Sequence, residues 1–254
     1  MSYHSQYWQD ELLDTTLFEG LTGGRFLDIG ACDGVLLSNS LFFEAERHWS
    51  GICVEADPSV FPLLAAARPA ALCLNVAAGS TDGTLPFIQM SGPNQMLSGL
   101  ASSLDEARVE LEVARHGGTR NIIEVPVVGV DRLLADHGVE EIHYLSLDIE
   151  GGEAEVLRSV DFGKVMVHAM TVECNHAQDV AEVTRITKTD FVVAGYLFCD
   201  LYLVNRKSPF LFRVPALTAA INVRNRPNRL LPRALRKVAR LAGRLTGGRQ
   251  TPRN

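Results

Sequence analysis

The sequence predicts a doubly wound α/β fold, in which helices cover both faces of a mostly parallel sheet. Short apolar runs alternate along the chain with segments of helical periodicity, a pattern typical of parallel strands joined by helices. In the clearest example, the apolar run 26–29 gives way at Gly30 to a turn of small residues and then to a helical pattern. Because such folds bind ligands where their strands end, this turn predicts a ligand crevice.

The turn after this first strand carries acids and glycines and lacks a phosphate-binding signature. Its pattern is Asp28-x-Gly30-x-x-x-Gly34, with Asp33 inside it. It is neither Gly-x-Gly-x-x-Gly nor a phosphate loop, which would end in Lys-Ser or Lys-Thr. The glycines let a ligand approach the backbone closely because they have no Cβ. The acids favour a ligand that carries positive charge over a pyrophosphate.

Two further strand ends fit the adenosine part of a ligand. The apolar run 51–54 ends in Glu55, about 20 residues beyond the turn, where an acid typically accepts hydrogen bonds from ribose hydroxyls. Pro58 then starts a helix over 59–67. A third strand is predicted over 70–79, and it ends in small residues that leave room for an adenine ring, namely Val76, Ala77 and Ala78.

The densest group of acids follows a later strand, predicted from residue 142. This strand ends at Asp148, and Glu150, Glu153 and Glu155 surround the turn Gly151-Gly152. Like charges repel at short range, so some of these acids should meet a cation, a metal ion or a substrate hydroxyl. The alternative is that they stabilise a helix N-terminus, which fits Glu155 best. Asp148, at the end of a central strand, is the main candidate for a functional residue.

Another polar group follows the strand predicted over 165–172. It comprises Glu173, Asn175 and His176. Imidazole exchanges protons near neutral pH, so His176 suits proton transfer. A helix over 178–188 and a final antiparallel hairpin formed by 191–198 and 200–205 complete this part of the chain.

Patterns elsewhere predict the remaining elements. Residues 5–19 form an amphipathic helix with Ser5 as its N-cap and Leu12, Leu13, Thr16 and Leu17 on the buried face. The segment 91–100 is a loop by composition. The other predicted elements are a strand over 84–90, a helix over 103–116, a strand over 122–127 and a helical turn over 130–136.

Together these motifs resemble the FkbM family of S-adenosylmethionine (SAM) dependent methyltransferases. The resemblance covers about residues 5–205 and rests on segments 5–10, 26–35, 38–39, 49–55, 145–153 and 172–175. The element Asp-Ile-Glu-Gly-Gly-Glu is its most specific part, and Cys32 departs from the usual Asn or Ala. The resemblance implies a class I methyltransferase fold, with seven strands and an antiparallel C-terminal hairpin. It also implies O-methylation of a hydroxyl on a sugar, a glycan or a polyketide-like metabolite.

The resemblance also implies roles for individual residues. Asp148 would act as the base, or would help to hold a divalent ion such as Mg²⁺ that acidifies the acceptor hydroxyl. Glu173 and His176 are rival bases. The turn would bind the methionine half of SAM and Glu55 its ribose, so the expected cofactor-binding residues are Gln9, Asp28, Gly30, Ala31, Asp33, Gly34, Asn39, Glu55 and Ala77.

Charge is distributed unevenly along the chain. Residues 206–254 contain 13 of the 24 Lys and Arg and no acid, whereas residues 1–205 carry a net charge of −19. We therefore predict a methyltransferase domain over 1–205 and a basic tail over 206–254. No apolar run could span a membrane and no signal sequence is recognisable. Five scattered cysteines without metal-ligand spacing predict a reduced, cytoplasmic protein.

The tail contains an amphipathic basic pattern over 233–245. This pattern predicts peripheral contact with the inner face of an anionic cell membrane. Docking on the acidic domain or on a second subunit of a homo-oligomer is an equal alternative. RNA is the less favoured partner, and a SAM-fold module that recognises RNA or another anionic partner is the alternative function. An NAD-dependent oxidoreductase would share Glu55 but lacks the glycine spacing for a pyrophosphate.

Overall fold

The computed structural model describes residues 2–104 and 106–225. Strands and helices alternate along this part of the chain, as the sequence predicts. The strands are β1 (Arg25–Ile29), β2 (Ser50–Val54), β3 (Leu72–Leu74), β4 (Ala77–Gly79), β5 (Gly83–Met90), β6 (Gly99–Leu100), β7 (Arg120–Gly129), β8 (Glu141–Leu147), β9 (Met166–Glu173), β10 (Phe191–Leu197) and β11 (Asp200–Asn205). The α-helices are α1 (Gln9–Leu12), α2 (Leu41–Arg47), α3 (Phe61–Ala67), α4 (Glu106–His116), α5 (Val130–Asp136), α6 (Glu153–Ser159), α7 (Ala177–Thr187) and α8 (Val214–Asn225).

Seven strands form the main sheet, in the order β3-β2-β1-β8-β9-β11-β10. All neighbours are parallel except β11, which is antiparallel to both β9 and β10. The predicted seven-stranded sheet with its C-terminal antiparallel hairpin is therefore confirmed. Strand order reverses at β1, which pairs with β2 on one side and β8 on the other. Such a reversal opens a crevice at the carboxyl ends of the strands.

Two apolar layers cover the two faces of this sheet. One face packs against α5, α6 and α7 through residues such as Leu133, Leu157 and Val180. The other packs against α1, α2, α3 and α8 and is rich in aromatic residues. Full burial of one Leu or Phe side chain stabilises the fold by about 1.5–3 kcal/mol, so both layers hold the sheet rigidly beneath the crevice.

A second sheet of four strands, in the order β4-β7-β5-β6, was not predicted. The single strand expected over 70–79 is divided between the two sheets, because β3 pairs with β2 whereas β4 pairs with β7. Asn75 lies at the division, and its side-chain Nδ2 donates to the backbone oxygens of Glu55 and Ala56. The predicted loop 91–100 contains a 3-10 helix, Gly92–Leu97, and the short strand β6.

Helix boundaries differ from prediction near the N-terminus. Ser5 is not an N-cap, because α1 begins at Gln9 and the Ser5 hydroxyl instead donates to Asp10 Oδ1. A π-helix, Leu13–Phe18, continues α1. The helix expected directly after the glycine turn begins only at Leu41, because side chains within 33–38 hold the intervening residues in turns.

The first part of the predicted basic tail packs on the main sheet. Helix α8 buries Val214, Leu217 and Ile221 in the aromatic layer. The amphipathic pattern at 233–245 lies outside the described residues. None of the helices in the described ranges is long and apolar enough to cross a membrane.

Candidate active site

A cleft of about 490 Å³ opens at the carboxyl ends of β1, β2, β8 and β9, a volume typical of small-molecule sites. The main sheet forms its floor, and β4, β5 and the segment 93–100 of the second sheet close its other side. Five of the predicted site residues line it, namely Gly30, Glu55, Ala77, Asp148 and Glu173. The fold therefore joins motifs that lie more than 100 positions apart in the sequence.

Gly30 directly follows β1 and lines the cleft. Its φ of +90° favours glycine, and a Cβ at this position would lie 1.7 Å from the backbone oxygen of Asp148. No side chain can occupy that space, because the contact would be with backbone rather than with a movable side chain. Gly30 therefore sets the distance between the first strand and the strand that carries Asp148.

Glu55 lies beside this turn, and backbone groups fix its carboxylate. Its Oε2 accepts from the Cys32 N–H at 2.9 Å and its Oε1 accepts from the Asp57 N–H at 2.7 Å. Burial raises the pKa of Glu55 to about 7, although these hydrogen bonds oppose the shift. Each oxygen keeps a further lone pair, so the carboxylate can still accept hydroxyl groups from a ligand.

Asp57 is a candidate site residue that the sequence analysis missed. It lines the cleft and is 1% exposed, and its Oδ1 accepts from Ser59 N–H and Gln89 Nε2. Its Oδ2 is buried and has no hydrogen-bond partner among the described residues. The available signal was the pattern Glu55-x-Asp57 after β2, which places a second carboxyl beside Glu55.

Across the cleft lies a group that we call the carboxylate wall, formed by Asp148, Glu150 and Glu173. One carboxylate oxygen from each lies within 4.8 Å of the others. Repulsion by Glu173 acts on Asp148, and the Arg108 guanidinium lies 3.1 Å from Glu150 Oε2. The wall thus concentrates three acids on two neighbouring parallel strands and the loop that follows one of them.

The wall holds protons more tightly than ordinary carboxyl groups do. Burial raises the pKa of Asp148 well above its usual value, and repulsion by Glu173 adds to the shift. Burial likewise raises the pKa of Glu150, and it raises that of Glu173 to about 7. Because each carboxylate disfavours ionisation of its neighbours, the group can accept a proton near neutral pH or bind a cation.

Comparison with known proteins agrees with this geometry. The family described as "Methyltransferase FkbM domain" matches residues 28–193. The chain belongs to the FkbM methyltransferase family. That range includes both the glycine turn and the carboxylate wall. Membership of this family identifies the chain as a SAM-dependent methyltransferase. No curated protein matches the chain.

A solved structure of a TehB-like SAM-dependent methyltransferase from Corynebacterium glutamicum is also similar. It shares 9% sequence identity with this chain, and the match covers 79% of this chain and 86% of that one. The TM-score is 0.37. The family assignment rests on the FkbM match and not on this likeness.

Several residues that the FkbM resemblance implies as cofactor ligands do not line the cleft. Asp28 is buried below it, and its Oδ2 accepts from Ser40 Oγ at 2.6 Å. Ala31 donates its N–H to the Val54 backbone oxygen. The Asp33 Oδ1 accepts from the backbone N–H groups of Val35 and Leu36, and so holds the turn together. Their roles as SAM ligands stay predictions.

Gly34, Asn39 and Gln9 are likewise used in internal contacts. A Cβ on Gly34 would meet Leu64 at 2.6 Å, so this glycine allows α3 to pack on the turn. Asn39 Nδ2 donates to Ser146 Oγ, while Asn39 Oδ1 is buried without a partner among the described residues. Gln9 Nε2 donates to Asp200 Oδ2 at 2.6 Å. Their predicted cofactor roles also remain untested.

Arg68 organises the turn, although no sequence motif indicated it. It is fully buried, and it donates to Glu44, to Ser40 Oγ and to the Gly34 backbone oxygen. Ser40 in turn binds Asp28. The sequence shows only an arginine at the end of an alanine-rich segment, and the packed structure reveals its burial and its partners.

His176 stands apart from the other predicted bases. It is exposed, it does not line the cleft, and its backbone N–H donates to Asp179 Oδ2 at the start of α7. Glu173, by contrast, lines the cleft beside Asp148. The geometry therefore brings together two of the three predicted catalytic residues.

The carboxylate wall also meets the chemical requirement for a divalent ion. Three carboxylates, two from the loop after β8 and one from the end of β9, can supply hard oxygen ligands of the kind that Mg²⁺ or Ca²⁺ prefers. Glu153 supports the loop between them, because its Oε1 accepts from the Gly151 N–H at 2.9 Å. Burial raises the pKa of Glu153 to about 7.

Proposed function

We propose that this FkbM methyltransferase transfers the methyl group of SAM to a hydroxyl of a sugar, a glycan or a polyketide-like metabolite. The observation that carries the proposal is the position of the carboxylate wall in the same cleft as Gly30 and Glu55. A hydroxyl acceptor must lose a proton when its oxygen bonds to carbon, and the wall offers proton acceptors at that place.

In this proposal the two sides of the cleft have separate tasks. Glu55 accepts the ribose hydroxyls, and the small residues Val76, Ala77 and Ala78 leave room for the adenine ring. Gly30 lets the methionine half pass close to the backbone. SAM supplies an electrophilic methyl group on a positively charged sulfur. Holding the acceptor oxygen in line with that methyl group contributes much of the rate acceleration.

Asp148 accepts the proton of the acceptor hydroxyl, and Glu173, whose carboxylate lies within 4.8 Å, makes Asp148 a better proton acceptor by charge repulsion. A carboxyl group with a raised pKa is a stronger base once it is ionised, and it works best near its own pKa. The oxygen–carbon bond forms as the carbon–sulfur bond breaks, and S-adenosylhomocysteine leaves.

A divalent ion held by Asp148, Glu150 and Glu173 is the second route that the wall supports. Such an ion would lower the pKa of the acceptor hydroxyl and would place it. Activity that disappears with EDTA and returns with Mg²⁺ would favour this route, whereas activity unchanged by chelation would favour Asp148 as the base.

The decisive experiment measures cofactor binding and turnover separately in Asp148→Asn. We expect calorimetry to show nearly unchanged affinity for S-adenosylhomocysteine, while methyl transfer to a panel of sugars and hydroxylated metabolites falls at least about 100-fold. Glu155→Gln is the matched control, because Glu155 is exposed and binds Ser80 outside the cleft. Binding of NAD instead of S-adenosylhomocysteine by the wild-type protein would refute the proposal.

The membrane contact predicted for residues 233–245 is a separate proposal that rests on sequence alone. Flotation of the full chain with anionic liposomes, compared with a chain that ends at Asn225, tests it. Equal flotation of the two proteins would refute it. The cytoplasmic location and the homo-oligomer also stay predictions.

A further inference from the structure

The ionisable side chains that line the cleft are almost all acids. Its six carboxyl groups are Glu55, Asp57, Glu112, Asp148, Glu150 and Glu173. Among the described residues, no lysine or arginine lines the cleft, and His116 is its one basic side chain. His116 Nδ1 lies 3.0 Å from Glu112 Oε2, so this imidazole is engaged with an acid of the rim. The cleft therefore offers an anion no lysine or arginine partner among the described residues.

The cation nearest to the carboxylate wall does not balance it. Arg108 pairs with Glu150, and its charge partly offsets the raised pKa of Glu173, but no described residue forms an ion pair with Asp148 or Glu173. Glu173 Oε2 is buried and has no hydrogen-bond partner in the described ranges. Neighbouring carboxyl groups ionise together far more easily beside a cation, so a ligand that brings both positive charge and N–H donors would be favoured here.

SAM alone does not supply that charge. Its ammonium and carboxylate groups balance each other, which leaves one positive charge on sulfur for a cleft with six carboxyl groups. At the donor side, backbone N–H groups already satisfy part of the charge of Glu55. The acids without a cationic partner therefore remain at the wall, where the proposed acceptor lies.

We infer that the acceptor carries an ammonium group close to the hydroxyl that is methylated, as an amino sugar or an amino alcohol does. This inference rests on the proposed O-methyl transfer and narrows its substrate class. The wall would bind the ammonium by charge-assisted hydrogen bonds. The same wall would reject hydroxyl acceptors that bear a phosphate, a nucleotide or a carboxylate, because repulsion of the wrong ligand contributes to specificity.

The rim beyond the wall suits the uncharged remainder of such a molecule. Pro93, Met96, Leu97 and Leu100 line this side of the cleft, and Met96 is 41% exposed. Gln95 adds an amide that can bind hydroxyl groups. In a molecule with an aminated ring attached to an apolar group, the ammonium would therefore bind the wall and the apolar group would contact these apolar side chains.

The test measures binding to the full-length protein saturated with S-adenosylhomocysteine. The probes are methyl glycosides of glucosamine and galactosamine, their N-acetyl derivatives, the corresponding neutral methyl glycosides, and glucose 1-phosphate. We expect at least one amine to bind about tenfold or more tightly than its N-acetyl form, and no binding of the phosphate. Glu173→Gln should reduce the amine preference, whereas Glu155→Gln should preserve it. If Glu173→Gln does not fold, Glu150→Gln takes its place.

Three outcomes would overturn the inference. They are equal binding of the amine and N-acetyl forms, no amine binding at about 10 mM, and binding of glucose 1-phosphate. The phosphate arm is repeated with Mg²⁺, because phosphate binding that depends on Mg²⁺ would show that a metal ion neutralises the wall. Affinity for S-adenosylhomocysteine is measured first. If it is absent, the proposed methyl transfer fails; if it is present without amine preference, only this inference fails.

Discussion

The two sides of the cleft hold their acids in opposite ways. On the donor side, Glu55 accepts from two backbone N–H groups, and Asp28 is held by Ser40 above the buried Arg68. On the acceptor side, Asp148 and Glu173 face each other, and a buried oxygen of Glu173 has no partner among the described residues. Hydrogen bonds thus hold the acids on the proposed donor side, whereas on the proposed acceptor side only Glu150 has a cationic partner, Arg108.

This difference indicates which properties each side controls. Changes on the donor side should act on the stability of the turn and, through it, on cofactor affinity. Changes in the carboxylate wall should act on pH dependence and turnover, with little loss of fold. The following predictions test that division.

Gly30→Ala should have the largest effect, because it disrupts the junction of the two sides. The new Cβ would overlap the Asp148 backbone oxygen at a φ of +90°, so we expect a loss of about 4 kcal/mol or more in unfolding free energy. Urea denaturation measures it. Gly117→Ala is the control, since its φ of +77° is similar but nothing lies within 4 Å, and it should cost about 1 kcal/mol. Equal losses would contradict the packing argument.

Arg68→Met should rank second. It leaves Glu44 without its buried partner and releases Ser40, so we expect a loss of about 3 kcal/mol together with weaker binding of S-adenosylhomocysteine. Arg132→Met removes a cation that is 62% exposed and should cost less than about 1 kcal/mol. Unchanged cofactor affinity in a folded Arg68→Met protein would show that the turn does not depend on this network.

The raised pKa of Glu173 in the carboxylate wall should be detectable in the pH dependence of stability. Burial raises the pKa of Glu173 from 4.5 to about 7, so the folded protein holds this proton more tightly than the unfolded chain. The resulting stabilisation is complete below pH 4.5 and is lost as pH rises through about 7. In the ligand-free protein, we expect the unfolding free energy of the wild type to fall by about 2 kcal/mol more than that of Glu173→Gln over this pH range. Parallel curves of stability against pH for the two proteins would refute the assignment.

His176→Ala should have the smallest effect. Because His176 is exposed and outside the cleft lining, we expect less than about 0.5 kcal/mol of destabilisation and less than about a threefold change in turnover. A 100-fold fall in turnover with an unchanged melting temperature would restore His176 as the base.

Prediction from sequence succeeded where local pattern and tertiary role coincide. The alternation of apolar runs and helical periods identified all seven strands of the main sheet, and the spacing of Glu55 from the glycine turn placed it in the cleft. It failed where the local pattern does not reveal which residue or strand becomes the partner. Ser5 resembles an N-cap but binds Asp10, and the segment 70–79 reads as one strand but is divided between two sheets.

The sequence by itself determined the α/β class and the strand ends that carry acids, because hydrophobic period and turn composition are local properties. Only the tertiary structure decided which of those acids share a cleft. Asp28 and Asp148 both lie at strand ends, yet Asp28 is buried below the floor while Asp148 faces Glu173. Burial and the proximity of like charges arise from packing between distant segments, so they set the chemistry of Asp148 only when the chain is folded.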